Sequence, residues 1–144
     1  MNPTERRNAR HYALQAMYQW QLSGTPVNEI ESDFLFHQIK KKVDLEYFKE
    51  LIHAIPSQTD ELDNLMSPFL SRPIDELDPI ELAILRLSTY ELAFRPDIPY
   101  RVAINEALEM TKKFGSIEGY KFVNGILDKI ARQLRPHEIA AGKK

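Results

Sequence analysis

The sequence predicts an all-α protein, a compact bundle of about six or seven helices arranged as two small subbundles. Three observations carry that prediction. Apolar residues recur at helical spacing along almost the whole chain, neither strict alternation nor a β-branched run occurs, and the prolines and glycines fall mainly between the periodic segments. With 144 residues, 43% hydrophobic and 28% charged, the chain is long enough for one ordinary globular domain with a real core.

The first helix is expected from about Thr4 to about Leu22. Ala9, Tyr12, Ala13, Ala16, Met17 and Trp20 follow one helical face, and Ser23-Gly24-Thr25-Pro26 supplies the stop. Ile30, Phe34 and Leu35 suggest a shorter second helix ahead of the polar run Lys40-Lys41-Lys42. From Asp44 onward Phe48, Ile52, Ile55, Leu62, Met66 and Phe69 keep one register across Pro56, which reads as one kinked helix or two. Asp78-Pro79 is a strong helix start, because Asp caps free amides and Pro at the first position gives up a donor that is unpaired anyway. The helix behind it, to about Phe94, is apolar around most of its circumference and is expected to be the buried centre. After Pro96 and Pro99 a stripe of Ala103, Ala107, Met110, Thr111 and Phe114 ends at Gly115. The last helix carries Tyr120, Val123, Leu127, Ile130 and Leu134 and ends near Arg135-Pro136. These elements make one domain over residues 1–136, with subbundles at about 1–70 and 71–136, and a disordered tail over 137–144.

Composition excludes several function classes. No cysteine is present, so disulfide scaffolds, thiol nucleophiles, zinc fingers and iron–sulfur clusters are ruled out. His11, His37, His53 and His137 never stand at i, i+4, and there is no phosphate-binding glycine loop or nucleophile elbow. Glu106 and Glu109 share a helix face, but Glu109 precedes Lys112 and Lys113 as solvated ion pairs do, so no enzymatic activity, metal or cofactor is expected. Gly115-x-x-x-Gly119 reads as a helix break in a polar loop, and no stretch is long and apolar enough for a membrane span or a secretory signal, which points to the cytoplasm. The net charge of −2 is uneven: +2 over residues 1–27, −8 over 28–81 and +4 over 82–144. Either the charges are scattered solvated faces, or the chain offers one surface to polyanions and another to a basic protein.

Two segments stand out as candidate binding surfaces. Arg6, Arg7 and Arg10 lie in the first turns of helix one, with Arg7, His11, Leu14 and Tyr18 along a line away from the apolar stripe. Guanidinium forks grip phosphate and a tyrosine stacks on an unpaired base, which suits single-stranded nucleic acid. An exposed basic helix end with a snorkelling tyrosine is the plainer alternative. Arginines at a helix N-terminus oppose the macrodipole, a cost more easily explained by function. On the last helix Lys121, Asn124 and Asp128 lie opposite Val123, Leu127 and Ile130, with Phe122 flanking them. Gly125 there marks either a ligand's approach or a tight helix crossing.

The blocks Arg6-Arg7-Asn8-Ala9-Arg10 with Ala13-Leu14-Gln15-Ala16-Met17-Tyr18, Glu81-Leu82-Ala83-Ile84-Leu85-Arg86-Leu87 with Tyr90-Glu91-Leu92, Val102-Ala103-Ile104-Asn105-Glu106-Ala107 with Lys112 and Phe114-Gly115, and Lys121-Phe122-Val123-Asn124-Gly125-Ile126-Leu127-Asp128-Lys129 resemble the NusB family of bacterial transcription antitermination factors in order and spacing. Residues 25–75 match only in pattern. The resemblance implies an all-helical fold of two small bundles, no catalysis, and binding of single-stranded boxA RNA from ribosomal RNA operons. It implies partnership with NusE, a small-subunit ribosomal protein, in the antitermination complex on RNA polymerase. By position it assigns RNA binding to Arg6, Arg7, Arg10, Tyr18, Lys121 and Phe122, and NusE contact to the region of Asp75 and Glu81. The loop Gly115-Ser116-Ile117-Glu118-Gly119 departs from the family pattern, and Glu118 there would repel phosphate. A protein-interaction module or homodimer that covers the arginine face, without specific RNA binding, is the competing reading. A methyltransferase accessory domain and a DNA-binding bundle are weaker ones, for want of a nucleotide-cofactor domain and of a recognisable helix-turn-helix pair.

Overall fold

The computed structural model describes residues 2–142 and divides them into two units between Gln58 and Thr59. The division falls earlier than the boundary expected near residue 70, because the helix that follows Gln58 packs on later elements of the chain. Eight α-helices are present, and no strand occurs among the described residues.

In the first unit α1 (Pro3–Ser23) begins where the Asn2 side chain accepts hydrogen bonds from the Thr4 and Glu5 amides, with Pro3 at the first position. It ends at Gly24, whose φ of 68° carries its N–H back to the Trp20 carbonyl. Its alanine face, Ala9, Ala13 and Ala16, is fully buried and lets α3 (Leu45–Ser57) approach closely. The short α2 (Val27–Asp33) runs into a π-helical turn, Phe34–Gln38, and also packs on α1 and α3. Phe34 and Phe48 meet across that packing with ring centroids 6.0 Å apart.

The choice at Pro56 resolves as two helices. Pro56 lies within α3, where it withholds the amide that would bond the Ile52 carbonyl, and the helical register breaks two residues later at Gln58. The second unit then opens with α4 (Thr59–Met66), followed by 3-10 turns at Ser67–Phe69 and Ile74–Glu76. Asp78 caps α5 (Pro79–Phe94) by accepting from the Glu81 amide at 3.0 Å, as the sequence leads one to expect. From Leu82 to Leu92 every residue of α5 is buried, and α4, α6 (Tyr100–Phe114) and α7 (Ile117–Leu134) all pack on it. Arg86 is among them, its charge met by a bidentate pair with Asp63 of α4 (Nε–Oδ1 3.0 Å, Nη2–Oδ2 2.8 Å). Among the described residues no helix is long and apolar enough to cross a membrane.

Two expectations are corrected here. Residues 137–142 of the supposed disordered tail are largely helical, since Pro136–Ala141 forms α8. Residues 143 and 144 of that expectation lie outside the described chain. Gly115–Gly119 is not a continuous loop either, because α7 starts at Ile117 under a cap from Ser116. Gly119 is therefore helical, and its bare Cα makes room for Glu81: a Cβ there would stand 2.5 Å from the Glu81 Oε2.

α8 is ordered by one side chain. The buried Arg135 guanidinium donates to the carbonyls of Glu91, Leu92, Arg95 and Ile98 at 2.9–3.2 Å and to Glu138 Oε1 at 2.6 Å. Glu138 in turn accepts the Tyr100 amide at the start of α6. Burial alone would raise the Glu138 pKa, but the Tyr100 amide and then Arg135 outweigh it and hold it below the ordinary 4.5. A depressed carboxylate contributes stability that is fully present above its unfolded value and is lost as pH falls through its folded one. Acid titration should therefore loosen this corner below about pH 4.5, and Glu138→Gln should abolish that acid-side difference from the wild type in amide exchange of Tyr100. Arg135→Met removes the hydrogen bonds to four carbonyls and to Glu138, and urea unfolding should show a loss of about 3–5 kcal/mol. Leu85→Asp, a charge placed at a fully buried position of α5, should abolish folding by circular dichroism.

Candidate nucleic-acid interface

The three arginines of α1 do not share one environment. Arg7 is exposed, Arg6 is partly exposed and Arg10 is buried, at 3% of its free accessibility. The expectation that Arg10 is a solvent-facing side chain is thus corrected, as is the placing of Leu14 on the polar line, since Leu14 is fully buried. The physical reason is the aromatic ring of Tyr47 on α3. Arg6 lies 4.1 Å and Arg10 5.6 Å from its centroid, so both guanidiniums sit against a π face. Asp44, the cap of α3, accepts the Tyr47 amide and stands 3.9 Å from the Arg6 Nε.

Arg7, His11 and Tyr18 remain on the side of α1 away from its alanine face, with Tyr18 half-buried. The arrangement places one exposed guanidinium, a group whose donor fork suits phosphate, about three turns from an aromatic ring on the same helix.

A second basic element is the Lys40-Lys41-Lys42 segment, which in the sequence reads only as a polar run. Residues 40–44 form a strap along α1: the Lys40 amide donates to the Tyr12 hydroxyl, Asn8 Nδ2 to the Lys42 carbonyl, and the Asp44 amide to the Glu5 carbonyl, all at 2.9–3.1 Å. Glu5, Asn8 and Tyr12 lie on one helical stripe, so the three ties hold the strap's backbone against α1 while the Lys40, Lys41 and Lys42 side chains stay exposed. Only the wide sequence separation hid this; the i, i+3, i+7 spacing of the three α1 partners is the signal that could have found it.

The other predicted residues belong to the second unit. Lys121 is exposed and Phe122 half-buried on α7, beside the exposed Asn124 and Gly125. A Cβ at Gly125 would meet no protein atom within 4 Å, so the tight helix crossing is not the reason for this glycine. Asp75 is exposed in the turn Ile74–Glu76, and Glu81 is half-buried in the first turn of α5. Burial, then the charge of Asp78, raises the Glu81 pKa against the opposing pull of Arg72. Glu109 pairs with Lys112 at 3.5 Å on the exposed face, as its spacing leads one to expect, while Glu106 is buried. Among the described residues no group of three or more His, Asp or Glu side chains could hold a metal ion.

The family model described as the NusB family matches residues 7–132, which include most of this geometry. The chain belongs to the NusB family. It is 53% identical over 135 residues to the transcription antitermination protein NusB of Shewanella halifaxensis, covering 94% of this chain and all of the relative. With the protein of the same name from Shewanella loihica it shares 55% over 130 residues, 90% of this chain and 97% of that one. Among solved structures the fold matches T. maritima NusB at 30% identity with a TM-score of 0.78, covering 93% of this chain and 96% of that one. It also matches a chain from a crystal structure of the antitermination factors NusB and NusE in complex with dsRNA. That match is at 30% identity and a TM-score of 0.80, covering 92% of this chain and 99% of that one.

The different environments of the α1 arginines should separate in mutants. Arg10→Glu buries a carboxylate and should cost several kcal/mol in urea unfolding, while Arg7→Glu should change stability by less than about 1 kcal/mol. Gly125→Ala fills open space on an exposed helix and should raise stability by about 0.5–1 kcal/mol, read as an increase in Tm.

Proposed function

We propose that this member of the NusB family acts as a transcription antitermination factor that binds boxA RNA of ribosomal RNA operons together with NusE and joins the antitermination complex on RNA polymerase. The observation that carries the reading is the fold held in common, over nearly the full length of both chains, with the NusB crystallised with NusE and double-stranded RNA. The surface chemistry supports it. On the first unit Arg7 and the strap lysines supply phosphate contacts and Tyr18 a stacking face for an unpaired base; on the second Phe122 supplies a stacking face and its neighbour in sequence Lys121 a phosphate contact. Arg6 and Arg10 act mainly by holding α1 against Tyr47 and so aiming Arg7. The role needs no reaction and no cofactor, and its place is the cytoplasm, where transcription occurs in bacteria.

NusE is assigned to the acidic segment that includes Asp75 and Glu81, by charge complementarity with a basic ribosomal protein. A net charge of −2 with only local basic surface implies weak, salt-sensitive RNA binding by the chain alone. A basic partner raises it by adding phosphate contacts.

The test is fluorescence anisotropy of a short single-stranded boxA RNA, its duplex and a scrambled control, with and without NusE, across salt. Tight binding of single-stranded boxA that NusE strengthens is the expected result; equal weak binding to all three, indifferent to NusE, would overturn the reading. Arg7→Glu should weaken binding about tenfold or more without loss of helicity. Changing Lys40, Lys41 and Lys42 to Gln should flatten the salt dependence by about 0.7 in log–log slope for each phosphate contact removed. Glu118→Gln should tighten binding by removing repulsion. Light scattering on the same samples reads the homodimer: a dimer that RNA dissociates means self-association covers the arginine face, and a monomer throughout removes that form.

A further inference from the structure

The pair Asn124-Gly125 is a sequence signal on α7 that helix packing does not explain. Of the six asparagines in the chain, Asn124 alone is followed by glycine. That pairing is chemically labile, because a glycine nitrogen has no side chain beside it to hinder attack on the preceding amide carbon. Both residues are exposed on α7, and nothing from the surrounding fold lies within 4 Å of where a Gly125 Cβ would stand, so solvent reaches the pair.

The helix itself stands in the way of the reaction. Ring closure requires the Gly125 nitrogen to lose its proton and bond to the Asn124 Cγ, which turns Asn124 out of its helical ψ. In α7 that N–H is committed to the carbonyl four residues back, at Lys121. Val123, Ile126 and Leu127, in the same turns, are buried, and α7 packs on α5 and α6. Freeing the amide therefore means lifting these side chains from the core of the second unit.

We propose that Asn124 is a spontaneous deamidation site gated by α7, so that the chain records covalently any prolonged opening of its second unit. The deprotonated Gly125 nitrogen bonds to the Asn124 Cγ, the Cγ–N bond of the side-chain amide breaks, and that nitrogen leaves as ammonia, carrying the proton away. Water then opens the five-membered imide. Addition at Cγ gives an aspartate in a normal main chain, and addition at the main-chain carbonyl gives an isoaspartyl linkage. Neither step needs an oxidant, a metal or an enzyme.

Both products add one negative charge, and the isoaspartyl form also adds a methylene to the main chain. That extra atom puts Ile126, Leu127, Ile130 and Arg135 out of register with the helices and carbonyls they meet, so a chain marked in this way does not regain the native second unit. Amide hydrogen exchange begins with the same step, removal of the Gly125 amide proton, and it too waits for the helix to open. One opening therefore slows both reactions by one factor.

The test incubates the full chain in mildly alkaline buffer without urea, in urea below the unfolding transition, and in urea that unfolds it. Peptide mapping by mass spectrometry locates the product, enzymatic methylation with labelled S-adenosylmethionine counts isoaspartyl linkages, and NMR follows exchange of the Gly125 amide. In unfolding urea, conversion should occur at Asn124 ahead of every other asparagine. Gly125→Ala, compared in that same urea so that helix stability plays no part, should lose this product over the time in which the wild type is converted. As urea is lowered, deamidation and exchange should slow together, their suppression factors agreeing within about threefold. Isoaspartyl chains returned to buffer should lack the cooperative unfolding transition of the wild type. Deamidation of the folded chain as fast as of the unfolded one would overturn the proposal, since α7 would then impose no gate. So would preferential conversion of another asparagine, an unchanged rate in Gly125→Ala, or exchange protection that rises at low urea while deamidation does not slow. A native transition in the isoaspartyl chains would overturn the lasting character of the mark.

Discussion

One guanidinium organises the end of the central helix. The last carbonyls of an α-helix have no partner within it, and at the end of α5 they point into the fold rather than into water. Arg135 donates to the Glu91 and Leu92 carbonyls of that end, to the carbonyl of the cap residue Arg95 and to the Ile98 carbonyl of the following turn, and hands its remaining charge to Glu138. The end of α5, the turn to α6, the first amide of α6 and the short α8 therefore share one hydrogen-bonded node. Without this donor the carbonyls of the buried Leu92 and Ile98 would lose it as a partner.

The division of labour among basic residues follows from the same physics. A buried cation needs partners, and each of these has them: Arg86 has Asp63, Arg135 has carbonyls and Glu138, and Arg10 lies beside the ring of Tyr47. Arg7, Lys40 to Lys42 and Lys121 are exposed instead, so their charge is met at least in part by water. A count of basic residues along the chain mixes the two kinds, which is why its net value says little about where phosphate would bind.

Much of the fold was legible because its rules are local. The Asp78-Pro79 start, the Gly24 and Gly115 stops and the apolar registers place α1, α5, α6 and α7 within a residue or two of their expected ends. What was missed depends on partners far along the chain. Arg10 looked exposed because Tyr47 is thirty-seven positions away, and α8 looked disordered because its order comes from carbonyls of α5. Gly119 looked like a loop residue because only Glu81, on another helix, explains it. At the candidate site the residue types were readable and their accessibility was not, since burial is decided by what packs on a helix and not by its own sequence.

The Arg135 node also sets an order of events during synthesis. The first unit consists of residues up to Gln58, so its internal contacts can form while the rest of the chain is still being made. The C-terminal end of α5 must wait. Its carbonyls, exposed from the ribosome as residue 95 emerges, find their donor only about forty residues later, when Arg135 arrives. At the usual pace of translation, roughly 5–20 residues per second, that interval lasts seconds, far longer than a helix takes to form. During it the most apolar helix of the protein is complete in sequence but unfinished at one end, which makes this stretch of nascent chain the natural point for chaperone engagement.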